Sequence, residues 1–248
     1  MAAGEPISIQ VRDVHKEFRR FEALHGITLD FDPGLMHGII GPEGSGKTTL
    51  LRILLGLMRP AQGRILYFEG GRPASFDVLR PHIAYMPQAQ SLYPDLSIEE
   101  HLAFFRDLYG IQPRAYAEKR AELLSVSRLA PFVDRPAGQL SGGMYKKLGL
   151  MCALLRSPRV IVLDEPTTGV DPISRRELWE LLYRLLDQGI LVLVTTAYLD
   201  EAERCSKVHL IESGSVIASG EPRALLDDQK ARSFDELFLR RAAGSASE

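Results

Sequence analysis

The chain has little cysteine, no surplus of either charge and no long apolar run, and each shortage removes a class of function. Two cysteines in 248 residues, Cys152 and Cys205, are too few for a disulfide framework. Cys152 stands inside an apolar stretch, so the plain reading is a reduced, cytosolic protein. A formal net charge of −2 gives no electrostatic reason to expect nucleic acid as the main partner. The apolar runs fall far short of the roughly 18 residues a membrane span needs; if the protein works at a membrane, another chain is expected to cross it. The opening MAAGEPISIQ carries an acidic residue and no apolar core, unlike a secretory signal. The six histidines (15, 25, 37, 82, 101 and 209) show no metal-ligand spacing and read as structural or surface residues. No internal repeat is visible, and the closing AAGSASE reads as disordered.

What is present is enough for one large α/β domain: 45% hydrophobic and 25% charged residues in a chain long enough to bury a core. Strand-like runs appear at 7–11, 27–31 and 35–41, then a helical pattern at 47–57, then strands again at 63–70 and 83–88. Residues 97–128 carry apolar positions at three- and four-residue spacing and read as two helices. A third begins at Ser141 and runs to about Arg156, so that roughly 90–157 reads as a helical insert. RVIVLD (159–164) resumes the sheet. A helix at 173–187, a buried-type strand at 190–196 and a hairpin at 208–220 complete the α/β part, and the tail from 221 reads as one or two short helices.

Two stretches carry phosphate chemistry. GPEGSGKTT (41–49) follows an apolar strand and opens a helix, the context in which this glycine spacing is informative. Gly41, Gly44 and Gly46 let the backbone curl so that successive N–H groups, those of Glu43 and Ser45 after Pro42 among them, face a phosphate at a helix N-terminus. Lys47 then reaches the outer phosphates and the Thr48 hydroxyl meets Mg²⁺, with Thr49 beside it. The bland alternative is a glycine turn with an exposed lysine. RVIVLDEPTTG delivers Asp164 and Glu165 at the C-terminal end of a strand, where open parallel sheets bind ligands. Asp164 suits the metal or its water shell, and Glu165 suits a general base for water attacking the γ-phosphate; alone, the pair could be a surface turn before Pro166. Together the two stretches imply a nucleotide hydrolase. A third, GQLSGGMYKK (138–147), offers another anion site: Ser141 is a good N-cap, and Gly142 and Gly143 leave the first helical N–H groups uncovered, although each glycine costs about 1 kcal/mol against alanine inside a helix.

With GPEGSGKTT, LSGGM and VIVLDEPTTGVDP in this order and spacing, the chain resembles the nucleotide-binding subunit of ABC transporters, from about Ile7 to Gly220. The resemblance implies a P-loop (RecA-like) core sheet with an N-terminal antiparallel β subdomain and an inserted helical subdomain, ATP and Mg²⁺ as ligands, and a head-to-tail dimer in which Ser141, Gly142 and Gly143 cap the nucleotide held by the partner's P-loop. Phe18, flanked by Lys16, Arg19 and Arg20, lies where the family stacks an aromatic on adenine; a core aromatic on a strand is the competing reading. Gln88 matches the glutamine that senses Mg²⁺ and the attacking water, though it could be an ordinary loop residue. Asp171 matches a cross-dimer contact and is also a sound N-cap before Pro172. Met144 replaces the commoner Gln of the family.

Ala197 stands where the family keeps a histidine for the γ-phosphate, with Thr195, Thr196 or Tyr198 as substitute hydroxyls. The resemblance therefore favours a heterodimer, in which this chain lends its intact Ser141-Gly142-Gly143 to a partner's histidine-bearing site. The segment 91–111 resembles export-type members that pair with ABC-2 class permeases, and Leu92, Tyr93 and Leu96 are a candidate docking surface unless they pack within the insert. The expected place is the cytoplasm, on the inner face of the cell membrane. The alternatives are a soluble ABC-type ATPase gating a non-transport assembly such as ribosomes, and a P-loop kinase, which would have no use for LSGGM.

Overall fold

The computed structural model describes residues 4–19 and 21–245. Arg20 and the last three residues of the AAGSASE tail lie outside them. A long antiparallel hairpin, β1 (Ile7–Phe18) and β2 (Phe21–Phe31), opens the chain. With β4 (Gln62–Glu69) and β5 (Arg72–Ala74) it forms a four-stranded antiparallel sheet in the order β2-β1-β4-β5. The second sheet has six strands: β3 (Met36–Ile40), β6 (Ile83–Met86), β7 (Val160–Asp164), β8 (Leu191–Thr196), β9 (Lys207–Glu212) and β10 (Ser215–Gly220). Their order is β10-β9-β3-β8-β7-β6, parallel except for the β9–β10 hairpin.

The central strands read as unbroken apolar runs because both their faces are covered. In β7, Ile161 and Leu163 enter one core while Val160 and Val162 enter the other; β8 divides Val192 and Val194 from Leu191 and Leu193 in the same way. The period of two thus becomes two packed layers. One core lies against the antiparallel sheet and α1 (Lys47–Leu54). The other lies under α3 (Ile98–Tyr109), α4 (Pro113–Ser127), α5 (Gly142–Leu154) and α6 (Pro172–Asp187). A one-turn α2 (Phe76–Leu79) precedes β6, and α7 (Pro222–Asp228) and α8 (Phe234–Ser245) close the chain.

The structure changes three expectations. The first hairpin is much longer than 7–11 and 27–31, because Lys16, Glu17 and Phe18 go on pairing with Leu24, Glu22 and Phe21 in its charged outer half, beyond the apolar signal. The first helix stops at Leu54 rather than Leu57: Gly56 turns left-handed (φ 64°), and the Gly56 and Leu57 N–H groups bond back to the Ile53 and Arg52 carbonyls. The tail is helical to Ser245, through residues expected to be disordered, because Phe234 and Leu237 anchor α8 in the core.

Candidate functional site: a cleft at the strand ends

Four parallel strands end on the same rim, and each hands over to a segment singled out by its sequence. β3 leads into GPEGSGKTT, β6 into Pro87-Gln88, β7 into Glu165 and β8 into Ala197. This is where ligands approach open α/β sheets. An open cleft of about 440 Å³ lies there, lined by Phe18, Phe21, Ala23, residues 43–49, Gln88 and Glu165.

Two glycines of the loop are fixed by close approach. A Cβ at Gly41 would stand 1.9 Å from the Ile211 carbonyl oxygen, and one at Gly46 would stand 2.7 Å from that of Ala23, with φ at 102°. Gly46 is the N-cap of α1 and supplies no side chain to cap it, and no acidic residue occupies the first turn. The N–H groups of that turn therefore point at the cleft without an intrahelical acceptor, a ready place for an anion. Ser45 Oγ is buried with no hydrogen-bond partner, a polar atom that a bound ligand would satisfy. Pro42, Glu43 and Gly44 form the exposed tip; Thr48 and Thr49 are half-buried on the cleft wall.

Lys47 is buried, and its Nζ donates to the carbonyls of Gly41 (2.7 Å) and Pro42 (2.9 Å) and lies 3.7 Å from Glu165 Oε1. Burial lowers its pKa, against the pull of Glu165 and Asp164. Thr48 Oγ1 donates to Asp164 Oδ1 (3.0 Å), which also accepts from Thr195 Oγ1 (2.7 Å). Tyr85 OH donates to Asp164 Oδ2 (3.4 Å), and burial first, the carboxylate second, push this phenol up to about 12. Glu165 takes a left-handed backbone (φ 47°), rare for a residue with a side chain. Its N–H bonds to Thr195 Oγ1 (3.0 Å), and Oε2 accepts from Gln88 Nε2 (2.8 Å) and Thr168 Oγ1 (3.2 Å). Asp164, Glu165, Gln88, Lys47 and Thr48 thus meet in one network.

Sequence reasoning missed Phe21, Tyr85 and Thr168. Phe21 pairs with Phe18 across the hairpin end, and the two stand 62% and 43% exposed on the cleft wall, so Phe18 is not a core aromatic. A strand reading carried to the hairpin's end would have found Phe21; nothing in the local sequence marks Tyr85 or Thr168.

The segment around Ser141 lies away from this cleft. Ser141 and Gly142 are exposed, and Ser141 Oγ accepts from the Met144 N–H (3.3 Å) as the N-cap of α5. Gly143 is buried against α6: a Cβ there would meet Ser174 Cβ at 2.2 Å and Oγ at 2.3 Å. Asp171 caps α6, its Oδ1 accepting from Ile173 (3.1 Å) and Ser174 (3.0 Å), and these bonds, Ser174's first, lower its pKa. Ala197 is half-buried at the end of β8, and two of the three nearby hydroxyls, those of Thr195 and Thr196, already have partners. Thr195 holds Asp164, Thr196 Oγ1 accepts from the Tyr198 N–H (3.0 Å), and the Tyr198 ring lies under Arg175 at 4.4 Å. Of the three apolar residues after Gln88, Leu92 and Leu96 are half-buried, whereas Tyr93 is 54% exposed and meets the exposed Phe104 edge-on at 5.5 Å.

Comparison with known proteins agrees with this geometry. The family model described as ABC transporter matches residues 24–168. YbhF of Escherichia coli (strain K12), named as a probable multidrug ABC transporter ATP-binding protein, is 46% identical over 202 residues, 81% of this chain and 35% of that protein. The chain therefore spans about a third of that relative's length. The Nod factor export ATP-binding protein I of Cupriavidus metallidurans is 37% identical over 222 residues, 89% of this chain and 73% of that protein. Among solved structures, an ATP-binding subunit of an ABC transporter superposes with a TM-score of 0.81 at 30% identity, over 94% of this chain and 98% of that one. An ABC transporter cassette in its ADP conformation does so with a TM-score of 0.76 at 25% identity, over 92% and 95%. Sequence and fold agree over most of the chain's length, and on both grounds it belongs to the ABC transporter family as one of its ATP-binding ATPase cassettes.

Proposed function

We propose that the chain is the ATP-hydrolysing motor of an export system, working head-to-tail with a second ATP-binding subunit on separate membrane-spanning subunits, at the inner face of the cell membrane. The observation that carries this reading is the convergence of Lys47, Thr48, Gln88, Asp164 and Glu165 in one cleft. In it, Phe18 stacks on adenine, with Phe21 beside it. The phosphates lie along the N–H groups of residues 41–49, and Lys47 turns from the Gly41 and Pro42 carbonyls to the β- and γ-phosphates. Thr48, Asp164 and Gln88 form an oxygen donor set that suits a hard cation, and Thr48 Oγ1 and Asp164 Oδ1 already converge within 3.0 Å, so the site fits Mg²⁺. When bound, the ion neutralises phosphate charge. Glu165 takes the proton of the attacking water, held in place by Gln88 and Thr168.

The exposed Ser141 and Gly142, with Gly143 behind them, cap the partner's nucleotide, and Asp171 reaches across the same interface. Export is the role carried in the name of the Nod factor relative. Tyr93, with Phe104 and the exposed Leu108, forms the surface that meets the membrane subunits. Ala197 supplies no imidazole, Thr195 Oγ1 and Thr196 Oγ1 already have partners, and the Tyr198 ring packs under Arg175. One missing transition-state donor costs about 10²–10³ in rate, so the chain's own site is slow and a heterodimer with a histidine-bearing partner is favoured.

The test is steady-state ATP turnover of the chain alone, of Ala197→His, and of Glu165→Gln in the Ala197→His background. The expected result is slow turnover, a rise of at least about tenfold with the histidine, and its loss with the glutamine. Fast wild-type turnover unchanged by Ala197→His would remove the asymmetry; activity surviving Glu165→Gln would remove the base.

A further inference from the structure

We propose that Lys146, with its neighbour Tyr145, is a positioning residue that holds the Gln88 segment in place and so ties the helix beginning at Ser141 to Glu165 of the same chain. The inference rests on the reading of Gln88 and Glu165 given above. Gln88 follows β6 in an irregular bend, and secondary structure does not fix it. Two adjacent residues of α5 hold this bend instead. Lys146 Nζ donates to the Gln88 carbonyl (3.1 Å), and Tyr145 OH accepts from the Leu92 N–H (2.8 Å). The Gln88 side-chain amide in turn donates to Glu165 Oε2 (2.8 Å).

Lys146 as a residue is only 9% exposed, a costly place for a charge. Burial lowers its pKa, and the carboxylates of Asp164 and Glu165 act in the opposite direction. Tyr145 and Lys146 stand about one helical turn from Gly142, on a rigid element. A displacement of the helix start by whatever binds Ser141 and Gly142 is carried through that turn to the backbone of Gln88, and from its amide to the carboxylate. The occupancy of one site is thereby made visible to the base of the other.

The experiment compares Lys146→Met, Gln88→Ala and the double variant in the full chain, by ATP turnover and by amide hydrogen exchange of residues 88–92. Lys146→Met is expected to lower kcat about 10- to 100-fold, the range for a misplaced catalytic group, with KM for ATP unchanged. It should also speed exchange at 88–92 and add no further loss in the Gln88→Ala background. Lys146→Arg, which keeps a buried donor, should recover part of the kcat and serves if the methionine variant folds poorly. Additive losses, or wild-type kcat and exchange in Lys146→Met beside an impaired Gln88→Ala, would overturn the tether alone. Full activity of Gln88→Ala would overturn the catalytic reading, and the tether with it.

Discussion

Gly143→Ala sets two physical effects against each other. On helix propensity alone, alanine in place of glycine should stabilise α5 by up to about 1 kcal/mol. The structure predicts the opposite sign. The new methyl would stand 2.2 Å from Ser174 Cβ and 2.3 Å from its Oγ, where ordinary contacts need about 3.5–4 Å. Ser174 is no flexible tip that can swing away, since its N–H is bonded to Asp171 Oδ1 at the capped start of α6. Relief requires the two helices to part by more than an ångström, against the part-buried ion pair of Lys147 and Glu177 lower in the same seam. Overpacking of this kind costs about 1–3 kcal/mol, so the net loss is about 1–2 kcal/mol, or roughly 2–8 °C in Tm for a chain of this size. Thermal or denaturant unfolding measures it, and Ser174→Gly in the same chain should restore most of the loss by removing the opposing carbon. An alanine variant as stable as the wild type would refute the reasoning, leaving Gly143 explained by ligand access alone.

Lys47→Ala should weaken ATP binding, because the phosphates lose their buried cation, and fluorescent-nucleotide titration should show at least about a tenfold rise in Kd. Tyr93→Asp, at an exposed position, should leave unfolding within about 0.5 kcal/mol of wild type while abolishing co-purification with the membrane partner; retained co-purification would contradict the docking surface. Acid should destabilise the fold through His37 and His209, which lie buried against each other (Nδ1 to Nε2 3.1 Å) and are held down, mainly by burial, to about 4 and about 3. Between pH 6.5 and 4 the unfolded chain binds the protons that the folded chain refuses, so stability should fall as pH falls, by up to about 1.4 kcal/mol per pH unit for each imidazole. Asp32 and Lys207 at the edge of this pair act in opposite directions on His37. Denaturant melts at pH 7, 6 and 5 check it, and a flat profile in wild type would count against the buried neutral pair.

The central sheet was legible because its strands are apolar on both faces, and the cleft because glycine spacing, a strand ending in two acids and a glutamine after a strand each mark a local geometry. Of the residues that escaped the sequence, only Tyr85 is long-range, meeting Asp164 from a neighbouring strand. Phe21 and Thr168 act on Phe18 and Glu165, each three residues away, and were missed because neither carries a local pattern of its own. The polar half of the first hairpin gave no periodic signal, since its outer residues are charged and exposed. Gly143 was read as open space for an anion, and the structure adds a second cause, the approach of α6. The threonine hydroxyls beside Ala197 looked available only while their partners, Asp164 and the Tyr198 N–H, were unknown.

The left-handed backbone at Glu165 places stability and chemistry in opposition at a single residue. Glycine adopts φ near 47° freely, whereas a side chain there costs about 1–2 kcal/mol. The fold therefore carries a standing tension at the corner where β7 meets the cleft, balanced by the Gln88 and Thr168 bonds to the carboxylate. Selection for heat tolerance alone would drift toward glycine or asparagine at this position and discard the carboxylate. A lineage kept for turnover must tolerate the less restful backbone, and its margin of stability has to come from the two cores instead.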